Sequence, residues 1–242
     1  MLLIGFLTRI KVTIIDSRKP KKLCNFLVLF INIHTHLQLY DANVEVVNLN
    51  MDSDDKPNYY SYGLHPWYIS PVNYRDDLAR LEIKVNEKRC VAIGECGLDK
   101  LSQVDFNLQQ EVFEEHIRIA NHYKKPLIIH CVKAFNELIN CLNLNNNEVP
   151  VVIHGFNNNE NIARVLRDNG CYFSFGKALL GYESNASKAI KSVGRKNFFL
   201  ETDDADISIK YIYKKASELL GVDEEILKMQ LQSNFENIFK LK

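Results

Sequence analysis

A chain of 242 residues with 30 basic and 30 acidic side chains has zero formal charge, which excludes a uniformly basic nucleic-acid coat. Its 46% hydrophobic and 25% charged content excludes a disordered chain and fits one large soluble domain, the size of many α/β barrels. Six cysteines (Cys24, Cys90, Cys96, Cys131, Cys141, Cys171) form no CxxC pair and no small-domain disulfide spacing, so they read as reduced thiols of a cytoplasmic protein.

The first segment, residues 1–26, holds six of the basic residues and one acidic residue, leaving 24 against 29 in the remainder. Its apolar runs fall short of the roughly 20 residues that cross a bilayer, and no A-x-A-like cleavage site follows the run at 23–31. We read 1–26 as an extension outside the main domain, which occupies 27–242. Removing residues 2–22 should leave that domain folded. Neither a membrane nor an obligate protein partner is expected.

From residue 27 onward, short apolar or β-branched runs alternate with helical patterns, the mark of βα units. Strands are expected at 27–33, 44–48, 59–64, 91–95, 127–130, 151–154, 171–175 and 197–201. The connections at 37–43 and 50–58 are short and polar, so helices there should be absent or reduced. Later connections carry helical patterns. In "FNLQQEVFEEHIRIANHY" the residues Leu108, Val112, Phe113, His116, Ile119 and Ala120 share one face. The stretches at 134–144, 159–170 and 206–221 behave similarly, the last two ending at Gly170 and Gly221. A final helix begins after Asp223, a residue suited to an N-cap. Eight strands with intervening helices predict an α/β fold, a TIM-type (β/α)8 barrel, with a distorted seven-strand version as the alternative.

In such a barrel the strand ends collect at one mouth. Strand one of "FINIHTHLQL" delivers His34 and His36, whose i, i+2 spacing puts both rings on one face. "GLHPW" brings His65, "AIGECGLD" brings Glu95 and Asp99, "PLIIHC" brings His130 and "VVIHGF" brings His154. "FFLETDD" adds Glu201 and Asp203. Five of the seven histidines thus fall at the proposed mouth.

A carboxylate that ends an apolar strand is costly unless paired or metal-bound, and Glu95 and Asp203 fit that description. Four histidines (His34, His36, His130, His154) and these two carboxylates supply nitrogen and oxygen ligands for one or two divalent ions, Mg, Mn or Zn. A pair of ions roughly 3.5–4 Å apart activates water and clamps attacking and departing oxygens, so an ester or phosphodiester can be hydrolysed without a serine nucleophile. Neither a G-x-S-x-G elbow nor a phosphate-binding P-loop sequence occurs. His65, ahead of Pro66 and Trp67, is placed to contact a substrate phosphate or to cap a loop. Asp99 reads as a carboxylate that orients the strand-four loop or a metal-bound imidazole, and Glu201 as one that holds another ligand in place or forms a buried salt bridge. Trp67 has two readings, a stacking surface for a base or an indole packed beneath a loop. Cys96 and Cys131 adjoin ligands but point away from the mouth, and His116 and His122 read as ordinary helix residues.

The ordered set "NIHTHLQL", "GLHPW", "AIGECGLD", "PLIIHC", "VVIHGF", "FLETD" and "SNFENIF", spanning about 31–239, resembles the TatD family of metal-dependent hydrolases among the amidohydrolase-like barrels. By this resemblance His34, His36, Glu95 and Asp203 match the ligands of a first metal. Glu95 bridges to a second, which His130 and His154 also bind, and Glu95 and Asp203 become the catalytic carboxylates. The resemblance implies magnesium- or manganese-responsive deoxyribonuclease activity, with single-stranded DNA or another nucleic acid as substrate. It leaves an alternative, an ester or amide hydrolase such as a D-aminoacyl-tRNA deacylase.

The chain departs from the family pattern around the substrate. An arginine and an aspartate typically follow the strand-five histidine, where "HCVKA" has Val132 and Lys133. Lys133 can meet a phosphate as a flexible point charge. "HGFNN" replaces "HCFSG", and "DADI" replaces the serine-proline after "ETD". A vestigial binding protein would be expected to have lost a ligand. None is missing here.

Overall fold

The computed structural model describes residues 28–53 and 55–240, so the expectations for residues 1–26 lie outside the described part. Eight parallel strands run in sequential order: β1 (Ile31–Thr35), β2 (Val44–Leu49), β3 (Tyr59–Tyr62), β4 (Cys90–Asp99), β5 (Leu127–Val132), β6 (Val151–Ile153), β7 (Tyr172–Phe175) and β8 (Phe198–Leu200). A bridge between Thr35 and Asp203 brings the two edges together, with His36 N–H donating to Asp203 O at 2.9 Å and Asp203 N–H to His34 O at 3.1 Å. The sheet is a nearly closed TIM-type barrel.

Strands buried on both faces need continuous apolar sequence, and β4 is buried along its entire length. Helices α1 (Tyr74–Lys84), α2 (Phe106–Tyr123), α3 (Phe135–Leu144), α4 (Glu160–Asp168), α5 (Asn185–Val193), α6 (Ile209–Leu220) and α7 (Glu224–Phe239) follow the strands. Five of them take side-chain caps, from Asp105 on α2, Asn159 on α4, Ser184 on α5, Ser208 on α6 and Asp223 on α7, each satisfying amides of the first turn. Gly221 closes α6 in the left-handed region, whereas α4 ends on Asn169 with Gly170 following.

Each strand expected from the sequence is present. The polar connections at 37–43 and 50–58 contain no helix among their described residues. Two helices were not foreseen. In α1 only Tyr74, Leu78 and Leu81 are buried, a stripe too short to stand out. α5 buries Ala186, Ser187 and Ala189 beside Ile190 and Val193, so small residues dilute its apolar period.

The barrel ends differ in chemistry. One apolar cluster joins early strand residues such as Ile31, Val91, Val152 and Phe199 to Phe235, Ile238 and Phe239 of α7. Hydrocarbon fills that end, leaving the carboxyl ends of the strands to the polar residues. The helices pack on the outside through a larger cluster that includes Cys96, so that thiol faces away from the mouth. The five described cysteines are free, and all but the half-buried Cys131 are buried. No described helix is long and apolar enough to cross a membrane.

Candidate metal centre

β4 explains how a carboxylate reaches the middle of the mouth. A Cβ on Gly94 would sit 2.4 Å from Ile128 O, and one on Gly97 2.2 Å from His130 O. Both glycines hold positive φ, and the β4–β5 register shifts between Ile93 and Cys96. The missing side chains let β5 approach closely while the irregular backbone carries Glu95 inward. Asn48 of β2 fixes that backbone, its Oδ1 accepting from Glu95 N–H at 2.7 Å and from the Ser61 hydroxyl at 3.0 Å.

Glu95 presents one oxygen to each of two imidazole groups. Its Oε2 lies 3.5 Å from His34 Nε2 and 3.4 Å from His36 Nε2. Asp203 Oδ1 lies 3.6 Å from the same two nitrogens. Glu95 Oε1 lies 2.7 Å from His154 Nε2, 3.0 Å from His130 Nδ1 and 3.1 Å from His65 Nε2. The structure therefore brings together all six residues named as metal ligands. His65 stands with them, as close to Glu95 as His130 is.

Two carboxylates hold the imidazoles from behind. Asp99 Oδ2 sits 3.1 Å from His130 Nε2 and accepts the Trp67 indole N–H at 2.6 Å, while its Oδ1 accepts from Leu101 N–H. Gln109 of α2 accepts from Asp99 N–H and donates to Asp99 O. Glu201 is fully buried, accepts from Gly155 N–H at 2.6 Å and lies 3.6 Å from His154 Nδ1. Trp67 is 53% exposed, so it is not packed beneath a loop.

Electrostatically the cluster is a cation trap. Burial works against charge on His34, as does His154, yet the carboxylates of Asp203 and Glu95 lift its pKa to about 9. His154, opposed by burial, is raised well above the ordinary range by Glu95 and Glu201. Burial favours protonated Glu95, but the surrounding imidazoles hold its carboxyl well below the usual range. Asp203, also opposed by burial, is brought to about 2 chiefly by His34. On His65 burial prevails over Glu95 and lowers the pKa.

These residues fit a divalent ion. Neighbouring donors in a tetrahedral shell at roughly 2.0–2.1 Å stand about 3.3–3.4 Å apart. The four-residue group of His34, His36, Glu95 and Asp203 shows 3.4–3.6 Å, near that spacing and too long for good hydrogen bonds. Both ring nitrogens of His34 and Nδ1 of His154 are buried without a hydrogen-bond partner among the described residues. Ligand atoms of His34, Glu95 and His154 converge within 4.8 Å, as do those of His65, Glu95 and His130.

The cavity over this cluster measures about 300 Å³. Asn48, Asn50, Tyr68 and Asp204 line it too, and none was singled out from sequence. An asparagine inside the apolar run of β2 was the available signal for Asn48. Lys133 does not line this cavity; it borders a neighbouring groove.

A parallel barrel whose strand ends converge on paired histidines and carboxylates has the plan of a metal-dependent hydrolase. The profile of the TatD related DNase family matches residues 27–240. A relative from Buchnera aphidicola, named an uncharacterized metal-dependent hydrolase, is 32% identical over 197 residues, covering 75% of this chain and 74% of its own. A Cronobacter sakazakii protein named 3'-5' ssDNA/RNA exonuclease TatD is 34% identical over 112 residues, 46% of this chain and 42% of its own. Among solved structures, the TatD homolog YJJV of Escherichia coli K12 superimposes with a TM-score of 0.75 at 20% identity, covering 88% of this chain and 98% of its own. The chain belongs to the TatD family of metal-dependent hydrolases.

Proposed function

We propose that this hydrolase is a two-metal phosphodiesterase acting on single-stranded nucleic acid, with DNA its first candidate substrate. The observation that carries the reading is the Glu95 carboxylate, whose two oxygens face separate imidazole groups. His34, His36, Asp203 and Glu95 would hold one ion, and Glu95, His130 and His154 the other. Magnesium, manganese or zinc bound there supplies Lewis acidity toward water and a phosphoryl oxygen.

The remaining tasks fall to side chains. Glu95 keeps both groups in register because Asn48 fixes its backbone. Asp203, ionised and 29% exposed, accepts a hydrogen bond from an incoming water and orients it toward the substrate. His65 turns Nε2 toward Glu95 while its Nδ1 accepts from the Trp67 backbone N–H, which fixes the tautomer with its proton on Nε2, donating toward the Glu95 carboxylate at the wall of the cavity. The exposed indole of Trp67 and the exposed ring of Tyr68 offer stacking surfaces for a base. The Cronobacter relative's name, an exonuclease of single-stranded DNA and RNA, supports the choice of substrate.

The test is hydrolysis of a labelled single-stranded oligonucleotide by purified protein. Cleavage should vanish with chelator, return with Mn or Mg, and be lost in Glu95→Gln. Wild-type protein that loads metal but leaves oligonucleotides intact would end the nuclease reading. Release of the amino acid from D-aminoacyl-tRNA under those conditions would assign an ester hydrolase instead.

A further inference from the structure

Beside the metal cavity lies a second groove of about 440 Å³, bordered by Lys100, Lys133, Phe135, Asn158, Asn161 and Ile162 among others. It lies between α3 and α4, whose residues supply most of its lining, and Lys100, Lys133 and Asn158 join it from the loops that follow β4, β5 and β6. Lys100 follows Asp99 directly, and its N–H donates to Val132 O at 3.1 Å. Lys133 lies three residues past His130 in the left-handed region at φ 53, a conformation few non-glycine residues adopt. Three residues span at most about 11 Å of extended chain, so the groove adjoins the metal centre closely.

Its charge is uneven. Lys100 is paired with Glu137 at 2.5 Å, whereas Lys133 is exposed and has no ion pair among the described residues. Asn158 and Asn161 add amide groups, and Phe135 an aromatic face. The first turn of α3 borders the same groove, and its cap residue Ala134 supplies no side-chain acceptor. A free ammonium, amides and an aromatic ring along a groove are the parts that hold a nucleic-acid backbone without reading its sequence.

We propose that this groove is a second phosphate subsite, with Lys133 binding a phosphodiester of the same strand away from the bond being cleaved. The proposal rests on the nuclease reading of the metal centre and deepens it: the preferred substrate is an oligonucleotide rather than a single phosphodiester. Lys133 then acts in binding and stays outside the reacting atoms.

Two measurements test this and separate it from the parent reading. The first is binding of a fluorescent eight-residue oligothymidylate in chelator, across a salt series. Lys133→Asn removes the charge while tolerating the left-handed backbone. It should weaken binding roughly five- to tenfold near 0.1 M salt and flatten the logarithmic salt slope by about 0.7, the value of one single-strand phosphate contact. Lys133→Arg should restore both. The second is hydrolysis with Mn, comparing the oligonucleotide with bis(4-nitrophenyl) phosphate. Lys133→Asn should raise KM for the strand and leave the small ester unchanged. Unaltered oligonucleotide binding in Lys133→Asn overturns the subsite, whether or not the enzyme cleaves DNA. An equal loss on both esters also overturns it. Lys133-dependent binding without any strand cleavage keeps the subsite and removes the nuclease reading alone.

Discussion

The Asp99 carboxylate uses one oxygen for two neighbours: Oδ2 stands 3.1 Å from His130 Nε2 and accepts the Trp67 indole N–H at 2.6 Å. Burial favours protonated Asp99, but hydrogen bonds from Trp67 and Leu101, with help from His130, keep its pKa below the usual value. A charged acceptor behind an imidazole fixes the ring and raises its basicity toward a metal. Asp99→Asn should therefore weaken metal binding at the His130 side by roughly 10–100-fold and loosen Trp67. Metal titration and Trp67 fluorescence, from the chain's one tryptophan, read both effects. Unchanged metal affinity would show that Asp99 serves the loop alone.

Glu95→Gln keeps shape while removing the charge that faces both imidazole groups. Metal content by elemental analysis should fall at both positions, with hydrolysis reduced at least 100-fold, about 2.7 kcal/mol in barrier. The barrel should remain folded, because the lost group is electrostatic and not part of the packed core. A variant retaining full metal content and activity would remove Glu95 from the mechanism.

Much of this site was legible because metal-binding residue types end apolar strands, where few other reasons for them exist. The limits were geometric. β4 was expected to stop at Glu95, since glycines normally weaken strands. Gly94 and Gly97 instead permit close β5 contact, so the strand runs to Asp99. Lys133 illustrates another limit: its destination depends on a positive φ that a lysine does not announce. Helix α5 escaped notice because alanines and a serine can be buried as effectively as leucine without an apolar pattern.

His116 was read as an ordinary helix residue and is a fully buried fastener. Its Nδ1–H donates to Val112 O at 2.7 Å, and its Nε2 accepts from Leu64 N–H at 3.0 Å, beside His65. Burial lowers its pKa to about 4 against weaker support for charge from Val112 O and Glu115. The unfolded chain then binds the extra proton between roughly pH 6.5 and 4, so this contribution to stability falls as pH falls through that window. The loss approaches about 3 kcal/mol at the acid end. His116→Gln should be less stable at pH 7.5 yet lose less on acidification. Urea unfolding of both proteins at pH 7.5 and 4.5 makes the comparison, and parallel declines would contradict the assignment.

The metal centre has the opposite sign. Without metal, burial disfavours charged His34, but Asp203 and Glu95 raise its pKa to about 9, and His154 is raised as well. Stability from a raised folded pKa is complete below the unfolded value near 6.5 and is lost as pH climbs through about 9. A metal ion requires these imidazoles neutral, so it must displace their protons. Metal affinity should rise with pH between 6 and 8, up to tenfold per unit for each proton displaced. Calorimetry in buffers of different ionisation enthalpy should register that release. The two effects combine in thermal melts: metal should raise Tm more at pH 9.5 than at pH 7, because the metal-free protein has by then lost its imidazolium pairs. Proton-neutral binding, or a Tm increment that shrinks with pH, would mean that the ion sits elsewhere than among His34, His154 and their carboxylates.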